Sequence, residues 1–559
     1  MRIVVVGGVA AGMSAAARAR RHSESAEIIV LERGTEVSFA NCGLPYHVSG
    51  EIETADELIL QTPASLAASL ALDVRTEHEV TALDTSARSL AVRTPAGTLS
   101  LDYDALVLAP GASALRPSIP GIDSPRVRTL RTVADAVNLR SRVDEGARRA
   151  IVLGAGYIGI EAAESLRHRG LDVDIVELAP HILPRIEREL AQVATEELDR
   201  LGVHVHTGVA ALAIRDDVDA ARVELGDGST LDADIVVLSV GVRPDTAFVA
   251  AAGIATERGA IIVDERGRTS ADRVWAAGDA TLSVDAVLGI RRPVALAGPA
   301  NRAGRLIADD IFALAHARPV PAALGTAIVR IGELTVASVG ANRDDLDAAG
   351  VPYRTLHLHP NQHAGYFPGA APLHLVAHLG DDGAILGAQA AGHDGVDKRI
   401  DVLATAMRAR LRAPDLIDLD LAYAPPYGQA KDAINLLGMV GENVLGDRLR
   451  LWYADAATDE ADALVLDVRR PDEFASGHLP GALNIPHTEL RPRIDEVRLA
   501  AAGRPVRAMC AAGVRSNIAY RILVGHGIDA TSLSGGVQTL RQWFGAKADD
   551  ILITEGVPA

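Results

Sequence analysis

The strongest constraint on the fold is an internal repeat. Residues 2–33 and residues 149–178 each run from a β-branched apolar stretch through a glycine-rich turn and an alanine-rich stretch to a second apolar run that ends in an acid. In the first copy Gly7 leads to Glu32, and in the second Gly154 leads to Glu177. A short strand on each side of a helical stretch predicts a βαβ unit with parallel strands. The repeat therefore predicts two separate doubly wound α/β sheets.

Each copy also has the spacing of a dinucleotide-binding turn. Glycines let the pyrophosphate approach the backbone, the helix N-terminus offers unpaired N–H groups, and an acid about 20 residues later can accept hydrogen bonds from the adenosine ribose. The second copy, GAGYIG, fits fully, whereas GGVAAG has Val9 where the middle glycine should be, so a looser approach is expected there. The predicted contacts are Gly7, Gly8, Val9, Ala10, Ala11, Gly12, Glu32 and Arg33 in the first copy and Gly154, Gly156, Tyr157, Ile158, Gly159 and Glu177 in the second.

The bulk composition excludes several classes of protein. The 559 residues carry a net charge of −18, which argues against a nucleic-acid partner. No charge-free apolar run approaches the roughly 18 residues of a membrane-spanning helix, and the N-terminus lacks the pattern of a secretory signal. A cytoplasmic protein with no membrane partner is therefore expected. The two cysteines, Cys42 and Cys510, argue against a disulfide framework and fit a reducing compartment, and no metal site is predicted.

A third element completes the nucleotide-binding pattern. GRTSADRVWAAGDA ends in Gly278-Asp279, where the aspartate can bond a ribityl hydroxyl while a following helix faces a phosphate. With YDALVLAPGA (Tyr103 to Ala112) and the two repeats, it resembles the pyridine nucleotide–disulfide oxidoreductases over residues 1 to about 445. The resemblance implies that the first repeat binds FAD and the second a nicotinamide cofactor. It also implies further cofactor contacts at Val80, Pro110, Gly111, Gly241, Gly278, Asp279 and Tyr423.

The choice of nicotinamide cofactor depends on Glu177. Its carboxylate is expected to repel a 2′-phosphate, which favours NADH. His181 and Arg185 follow closely in the sequence and keep NADPH as an alternative.

The last part of the chain resembles a rhodanese domain. The resemblance rests on LVLDVRRPDEFASGHLPGALNIP (Leu464 to Pro486) and AMCAAGVRSNIAYRIL (Ala508 to Leu523). The loop CAAGVRS runs from Cys510 into an expected helix, and consecutive backbone N–H groups there would stabilise a thiolate or a persulfide on Cys510. Arg515 adds a cation and is predicted to assist catalysis. Asp467 and Arg469 are expected to brace the domain.

These features predict an α/β chain with two Rossmann-like domains, an α+β dimerisation domain and a C-terminal α/β rhodanese domain. The expected FAD-binding domain is discontinuous, over 1–112 and 265–320, and the expected NAD(P)H-binding domain spans 113–264. From about Leu324, alternating apolar residues predict antiparallel strands in a dimerisation domain over 324–446, and the rhodanese domain is expected over 452–559.

Cys42 lies in the segment SFANCGLPY, and no second cysteine occurs between it and Cys510. It can therefore cycle only through a mixed disulfide, a persulfide or a sulfenic acid. The segment resembles the single-cysteine branch of the family, which contains coenzyme A-disulfide reductases, persulfide reductases and NADH oxidases or peroxidases. In that branch the cysteine sulfur lies beside the flavin, so the resemblance implies that Cys42 is the redox centre.

The resemblance also implies a coenzyme A site, with Ser14, Arg18, Arg21, Ser38, Asn41, Asn301 and Lys431 as substrate contacts. Two departures bear on the substrate. Where the family usually has a basic residue this chain has Leu70, which leaves either weaker coenzyme A binding or a different substrate. Where peroxide-reducing members have a histidine this chain has Ala10, which disfavours a sulfenate cycle.

Two segments of the expected dimerisation domain, HAGYFPGA and YAPPYGQAKDAIN, match family segments that reach the partner's active site. On that resemblance Tyr366 and Tyr423 donate hydrogen bonds to a leaving thiolate, with Tyr427 as a substitute for Tyr423. A homodimer is therefore expected.

The combination predicts an FAD-dependent NAD(P)H reductase of coenzyme A persulfides, polysulfides or disulfides. In this hypothesis Cys510 passes a sulfane sulfur to an acceptor thiol such as coenzyme A, and Cys42 reduces the product through a mixed disulfide. Two alternatives stay open. One is a plain coenzyme A-disulfide reductase or NADH oxidase with an accessory rhodanese domain, and the other is a sulfane-sulfur sensor or carrier with negligible turnover.

Overall fold

A computed structural model describes residues 1–458 and 462–554 of the chain. By internal contacts the chain divides into two compact units. One comprises Met1–Pro180 and Leu201–Gly325, and the other comprises His181–Arg200 and Thr326–Ala559.

The first unit contains two parallel sheets, each built around one copy of the repeat. The strand of each copy is a run of β-branched residues buried on both faces, as parallel sheets require. The first sheet has the order Val274–Ala276, Ala105–Leu108, Arg2–Val6, Glu27–Leu31, Asp73–Arg75. The second has the order Val203–Thr207, Asp172–Glu177, Arg149–Leu153, Ile235–Leu238, Val127–Arg128.

The first sheet takes its edge strand Val274–Ala276 from a part of the chain that follows the whole second sheet. The first sheet is therefore built from two separate stretches of the sequence. The helices Ala10–His22 and Pro63–Leu70 contact the strands of the first sheet, and Tyr157–His168 contacts those of the second. Ala297–Ile311 packs on Ala10–His22, Val133–Asp144 packs on Leu44–Ser49, and Ala247–Ala251 packs in the core on one face of the first sheet.

Antiparallel ribbons complete the first unit. One comprises Glu79–Asp84, Ser89–Thr94 and Gly97–Asp102, and another comprises Ala211–Asp216, Ala221–Leu225 and Thr230–Ala233. Short pairs join Ala112–Ala114 to Val242–Pro244, Thr256–Glu257 to Ala260–Ile261, and Leu282–Val284 to Arg291–Pro293. The turns Asn41–Gly43, Ala55–Leu58 and Gly278–Ala280 are 3₁₀-helical.

The second unit begins with an antiparallel sheet, as the alternation after Leu324 predicts. Its order is Ala327–Ile331, Leu334–Gly340, Ile385–Gly392, His374–Leu379, Arg354–Leu358. The helices Arg343–Ala349, Val396–Ala409 and Ala433–Leu445 and the 3₁₀ turn Ala413–Asp418 accompany it.

Residues 181–200 belong to this second unit, although sequence analysis assigns them to the NAD(P)H-binding section. They include most of the helix Arg188–Leu201. Glu187 and Glu189 are buried, where Glu187 Oε1 lies 2.8 Å from His378 Nε2 and Glu189 Oε1 lies 2.6 Å from His357 Nε2. Arg343 pairs with both carboxylates. Buried carboxylates require such partners, and this requirement ties the segment to the antiparallel sheet.

The C-terminal part of the second unit contains a parallel sheet of order Leu451–Trp452, Ala530–Leu533, Val506–Met509, Leu464–Asp467, Leu483–Asn484. Its helices are Pro471–Ala475, Ile494–Ala501, Val514–Gly525, Gly536–Phe544 and Ala548–Ile551, with 3₁₀ turns at Ala454–Ala456 and Gly545–Lys547. No helix in the described ranges is both long and apolar enough to cross a membrane.

Candidate redox and sulfur-transfer sites

The first glycine turn is held by the acid that ends the repeat. Glu32 accepts hydrogen bonds from Gly8 N–H at 2.7 Å and from Gly34 N–H at 2.8 Å. Gly7 adopts φ +101°, and a Cβ there would lie 2.0 Å from the Ala109 carbonyl oxygen. Only glycine fits this position, because the turn is left-handed and passes directly against the next strand's end.

The second turn repeats the same arrangement. Glu177 accepts hydrogen bonds from Ala155 N–H at 2.6 Å and Ala179 N–H at 2.8 Å. The residue before each helix, Val9 or Gly156, makes no side-chain cap, and both have a negative φ, −116° for Val9 and −74° for Gly156. Neither lies in the left-handed region that favours glycine, so the backbone conformation does not require glycine in place of Val9. The two positions differ in side-chain size. Gly156 has no side chain and a Cβ built there would meet nothing within 4 Å, so a ligand can approach its backbone closely.

The residues of both turns fit a bound dinucleotide. The helices Ala10–His22 and Tyr157–His168 begin with N–H groups that no side chain caps, which suits a pyrophosphate. The Gly278–Ala280 turn adjoins the first of these helices, since a Cβ on Gly278 would lie 3.3 Å from the Ala11 Cβ. Asp279 in that turn pairs with Arg131 at 2.6 Å. A short β-ribbon follows Asp279, and the next helix after it is Ala297–Ile311.

The other predicted cofactor contacts differ in burial and in their bonding partners. Val80 packs in the core of the first sheet, so only its backbone can serve a ligand. Pro110 and Gly111 follow the strand Ala105–Leu108, and Gly241 accepts from Leu115 N–H at 2.9 Å. Arg33 is engaged by Asp245 at 2.6 Å.

Cys42 lies in the 3₁₀ turn Asn41–Gly43, in a segment tied to the first glycine turn. Ser38 N–H donates to the Gly8 carbonyl at 2.8 Å, and Ser38 itself is left-handed at φ +52°. Such backbone in a non-glycine residue is held by its surroundings and is common at functional sites. The segment therefore positions Cys42 relative to the first turn.

The chain's own groups favour the thiol form of Cys42 over the thiolate. Although the residue is exposed, partial burial of its sulfur raises the pKa, the carboxylates of Glu161 and Asp279 raise it further, and Arg131 opposes them. These neighbours therefore do not stabilise a Cys42 thiolate.

The predicted coenzyme A contacts of the first unit gather on two packed helices. Ser14 on Ala10–His22 donates to Asn301 Oδ1 on Ala297–Ile311 at 2.6 Å. Arg18 is bonded to Asp309 at 2.6 Å, whereas Arg21 is exposed and bonds only the carbonyl of Ala17 among the contacts described.

The pair with Arg18 stabilises the ionised form of Asp309 in the fold. Burial opposes ionisation of Asp309, but hydrogen bonds from Arg18 and His22 outweigh it and lower the pKa of that carboxyl. Leu70 is half-buried against the first sheet's core, and its carbonyl accepts from Arg20 at 2.8 Å.

In the second unit, Tyr366 and Tyr423 are exposed and their hydroxyl oxygens lie 3.1 Å apart. The hydrogen bond with Tyr423 raises the pKa of Tyr366, so this phenol stays protonated and able to donate. Tyr423 and Tyr427 line a cavity of about 570 Å³ with Lys398 and Arg399. Lys431 is exposed just before the helix Ala433–Leu445.

Cys510 follows the strand Val506–Met509 and is buried. Its sulfur accepts from Gly513 N–H at 3.2 Å and lies 3.5 Å from the Ser516 hydroxyl. Ser532 donates to the same hydroxyl at 2.9 Å. The sequence predicts a run of N–H groups around this sulfur, and the structure places one of them within bonding distance among the contacts described.

Arg515 is not a free cation. Its guanidinium forms a bidentate pair with Glu473, with both N–O distances 2.7 Å. The hydrogen bond from Arg515 lowers the pKa of Glu473 to about 2. Asp467 and Arg469 form a second, buried pair at 2.6 Å, in keeping with a bracing role.

Two adjacent glycines join the Cys510 loop to the antiparallel sheet. A Cβ on Gly536 would lie 2.3 Å from the Cys510 carbonyl oxygen, and one on Gly535 would lie 2.7 Å from the Cβ of His357. His357 Nδ1 is 2.7 Å from Ser534 Oγ, and His359 Nε2 is 2.7 Å from Thr539 Oγ1. Burial lowers the pKa of His359, as does nearby His374, so the contact between His359 and Thr539 is a hydrogen bond of a neutral imidazole.

Comparison with known families agrees with this geometry. Residues 1–304 match the pyridine nucleotide-disulphide oxidoreductase family, residues 326–433 match its dimerisation domain, and residues 451–542 match the rhodanese-like domain. The chain belongs to the pyridine nucleotide-disulphide oxidoreductases. Membership confirms the predicted fold class and the predicted enzyme class, and the family implies FAD and NAD(P)H as cofactors.

Similar members of this oxidoreductase family carry informative names. The coenzyme A disulfide reductase of Staphylococcus haemolyticus is 32% identical over 444 residues, which are 78% of this chain and 98% of that protein. The crystal structure of reduced Bacillus anthracis CoADR-RHD matches with a TM-score of 0.95 at 36% identity, covering 99% of both chains. A NAD-dependent persulfide reductase from A. fulgidus matches with a TM-score of 0.90 at 33% identity, covering 96% of this chain and 100% of that one.

Sequence reasoning about this oxidoreductase missed several site residues. Glu473 lies 42 residues from its partner Arg515, and nothing in the local pattern links them. Glu161 and Arg131 were likewise not expected near Cys42. No group of three or more His, Cys, Asp or Glu side chains in the described residues could hold a metal ion.

The Arg515–Glu473 pair predicts a pH-dependent contribution to stability. The folded pKa of Glu473, about 2, lies below its ordinary value of 4.5, so the ionised form stabilises the fold above pH 4.5 and this stabilisation is lost as the pH falls through about 2. Because the pair is partly exposed, we expect Glu473→Gln to cost about 1 kcal/mol at pH 7. Urea unfolding of both proteins at pH 7 and pH 3 measures the difference, which should shrink at pH 3. An equal difference at both pH values contradicts the assignment.

Proposed function

We propose that this oxidoreductase is an FAD-dependent NADH reductase of low-molecular-weight persulfides and disulfides of the coenzyme A type, coupled to a sulfur-transferring rhodanese domain. The observation that carries the proposal is that Cys42 and Cys510 are both free thiols and are the chain's two cysteines. Since Cys42 has no resolving cysteine in the chain, its disulfide partner must arrive with the substrate.

The residues that would hold FAD are the first glycine turn, Glu32 and Asp279, and those that would hold NADH are the second turn and Glu177. When bound, FAD accepts a hydride from NADH and supplies an electron pair to the sulfur chemistry. Glu177 supports NADH because its carboxylate faces the turn that a 2′-phosphate would have to approach. Arg185, a candidate partner for that phosphate, is already bonded to Asp345 at 2.7 Å.

Cys42 performs the reductive half of the reaction. Its thiolate attacks the R-bearing sulfur of a persulfide R–S–SH, the S–S bond breaks, and hydrosulfide leaves as the mixed disulfide Cys42–S–S–R forms. Two electrons and one proton then give the Cys42 thiolate and R–SH. Because the surrounding protein raises the Cys42 pKa, the reaction needs the electrostatic support of the bound ligands.

Cys510 performs the sulfur-transfer half. Its thiolate attacks the outer sulfur of a donor persulfide, forms Cys510–S–SH and releases the donor thiolate. An acceptor thiolate then attacks the outer sulfur of Cys510–S–SH, forms R–S–SH and restores the Cys510 thiolate. Gly513 N–H, which already donates to the Cys510 sulfur, supports the negative charge at this position.

The proposed active form is a homodimer. Its support is the match to the family's dimerisation domain and the exposed pair Tyr366 and Tyr423, whose hydroxyls contact each other. In the dimer these phenols would donate hydrogen bonds to the thiolate that leaves the partner's Cys42 mixed disulfide.

Substitution of each cysteine separates the two halves. We expect Cys42→Ser to lower NADH oxidation with coenzyme A persulfide by at least about a thousandfold, because the nucleophile is lost. Cys510→Ser should keep this activity, since the substrate is supplied already formed, and should lose sulfur transfer from 2-hydroxyethyl persulfide to coenzyme A.

The same assays separate the alternative functions. Full persulfide-dependent turnover by Cys42→Ser contradicts the proposal. Turnover with coenzyme A disulfide or oxygen but not with the persulfide indicates a disulfide reductase or an oxidase, and absence of any NADH turnover indicates a sensor or carrier.

The coenzyme A site is tested by two neighbouring arginines. Arg21→Ala should raise KM for coenzyme A persulfide about fivefold, the scale of one exposed charge contact. It should leave KM for 2-hydroxyethyl persulfide, which lacks phosphates, unchanged. Arg18→Ala should in addition lower the urea midpoint of unfolding, because it removes a partner of buried Asp309. Equal KM values for Arg21→Ala and the parent protein with coenzyme A persulfide would show that this helix does not bind the phosphates.

A further inference from the structure

The loops around Cys510 bring three arginines to one end of the rhodanese sheet. The parallel strands Leu464–Asp467 and Val506–Met509 are neighbours, with Asp467 opposite Met509. Cys510 follows one strand end, and Arg469 and Arg470 follow the other. Arg515 joins them from the first turn of the helix Val514–Gly525.

Each of these arginines already has a carboxylate partner. Arg469 pairs with Asp467 at 2.6 Å, and Arg470 pairs with Asp472 at 2.9 Å. Arg515 pairs with Glu473 through both guanidinium N–H groups. Three cations and three carboxylates sum to zero charge, so no arginine of this group offers an uncompensated positive charge to a donor that approaches Cys510.

The rest of the Cys510 loop is uncharged. Ala511, Ala512 and Gly513 separate Cys510 from the helix, and Val514 at its start is 72% exposed. The approach to the sulfur is therefore small and apolar, and charge selection depends on Arg515 and its partner. A dianion gains little from a guanidinium that is already bonded to a carboxylate, because the new attraction does not offset the free-energy cost of desolvating the dianion.

We infer that Glu473 determines the donor specificity of Cys510, restricting it to organic persulfides that carry at most one negative charge at the reacting end and discriminating against thiosulfate. The inference rests on the proposed sulfur-transfer function and specifies its substrate class. Glu473 acts through Arg515, so it is a specificity residue and takes no part in bond formation.

The two donors differ in the charge that the loop must accommodate. With an organic persulfide, Cys510–S⁻ and R–S–SH give Cys510–S–SH and R–S⁻, and the site contends with one negative charge. With thiosulfate, Cys510–S⁻ and S–SO₃²⁻ give Cys510–S–S⁻ and SO₃²⁻, so three negative charges meet and a dianion leaves. Freeing Arg515 would stabilise the second reaction far more than the first.

The test uses the full-length Cys42→Ser protein, in which Cys510 is the remaining cysteine. Sulfur transfer to coenzyme A is measured with thiosulfate and with 2-hydroxyethyl persulfide, and the ratio of the two kcat/KM values is compared. We expect Glu473→Gln to raise the thiosulfate-to-persulfide ratio about tenfold, the scale of one hydrogen-bonded charge. Asp472→Asn is the matched control. It removes the same charge from the adjacent position but leaves the Arg515–Glu473 pair in place, with Arg470 still 3.4 Å from Glu473, and should leave the ratio unchanged.

Alkylation of Cys510 gives a second readout that does not depend on turnover. The alkylation rate is measured with anionic iodoacetate and with neutral iodoacetamide, and the ratio of the two rates reports the charge near Cys510. This ratio should rise in Glu473→Gln but not in Asp472→Asn. Circular dichroism checks that each variant keeps its helix content.

The outcomes distinguish the inference from the proposed function. The specificity inference alone is overturned if the organic persulfide loads Cys510 but Glu473→Gln changes neither the kcat/KM ratio nor the alkylation-rate ratio. It is also overturned if the parent protein has equal kcat/KM values for thiosulfate and the persulfide. If neither donor loads Cys510, the sulfur-transfer proposal fails and takes the inference with it.

Discussion

The carboxylate of Glu32 holds the first glycine turn, and the positions of the surrounding groups depend on that turn. Its two N–H bonds, to Gly8 and Gly34, fix the backbone at the end of the central strand. The Gly8 carbonyl in turn accepts from Ser38 N–H, which sets the start of the Cys42 segment. Glu177 does the same for the second turn. One acid per repeat thus organises each nucleotide-binding edge.

The electrostatics of the two cysteines differ. Cys42 lies near Glu161 and Asp279, which with partial burial raise its pKa. Cys510 precedes the helix Val514–Gly525 and accepts a hydrogen bond from Gly513 N–H, and Arg515 in the first turn of that helix is paired with Glu473. In neither site does a free side-chain cation among the described contacts activate the sulfur. At Cys510 the backbone N–H of Gly513 supports negative charge on the sulfur.

The repeat, the parallel sheets and the antiparallel sheet could be predicted because strand periodicity and glycine turns are local features. The ion pairs could not, since Arg515 and Glu473 are far apart in sequence and meet only when parallel strands align their ends. The same limit applies to Arg18, for which the family resemblance implied a coenzyme A contact and whose partner Asp309 lies 291 residues away. Residues 181–200 were assigned by position in the chain, whereas buried Glu187 and Glu189 decide where they pack. The domain boundaries and the site roles of the single residues stay predictions.

In the proposed reaction the substrate supplies the disulfide partner that Cys42 lacks. This can be measured by intact-protein mass spectrometry of the Cys510→Ser protein mixed with coenzyme A persulfide in the absence of NADH. We expect one coenzyme A in disulfide linkage to Cys42 per chain, together with one released hydrosulfide. A protein that releases no hydrosulfide, or that gains sulfur without coenzyme A, contradicts it.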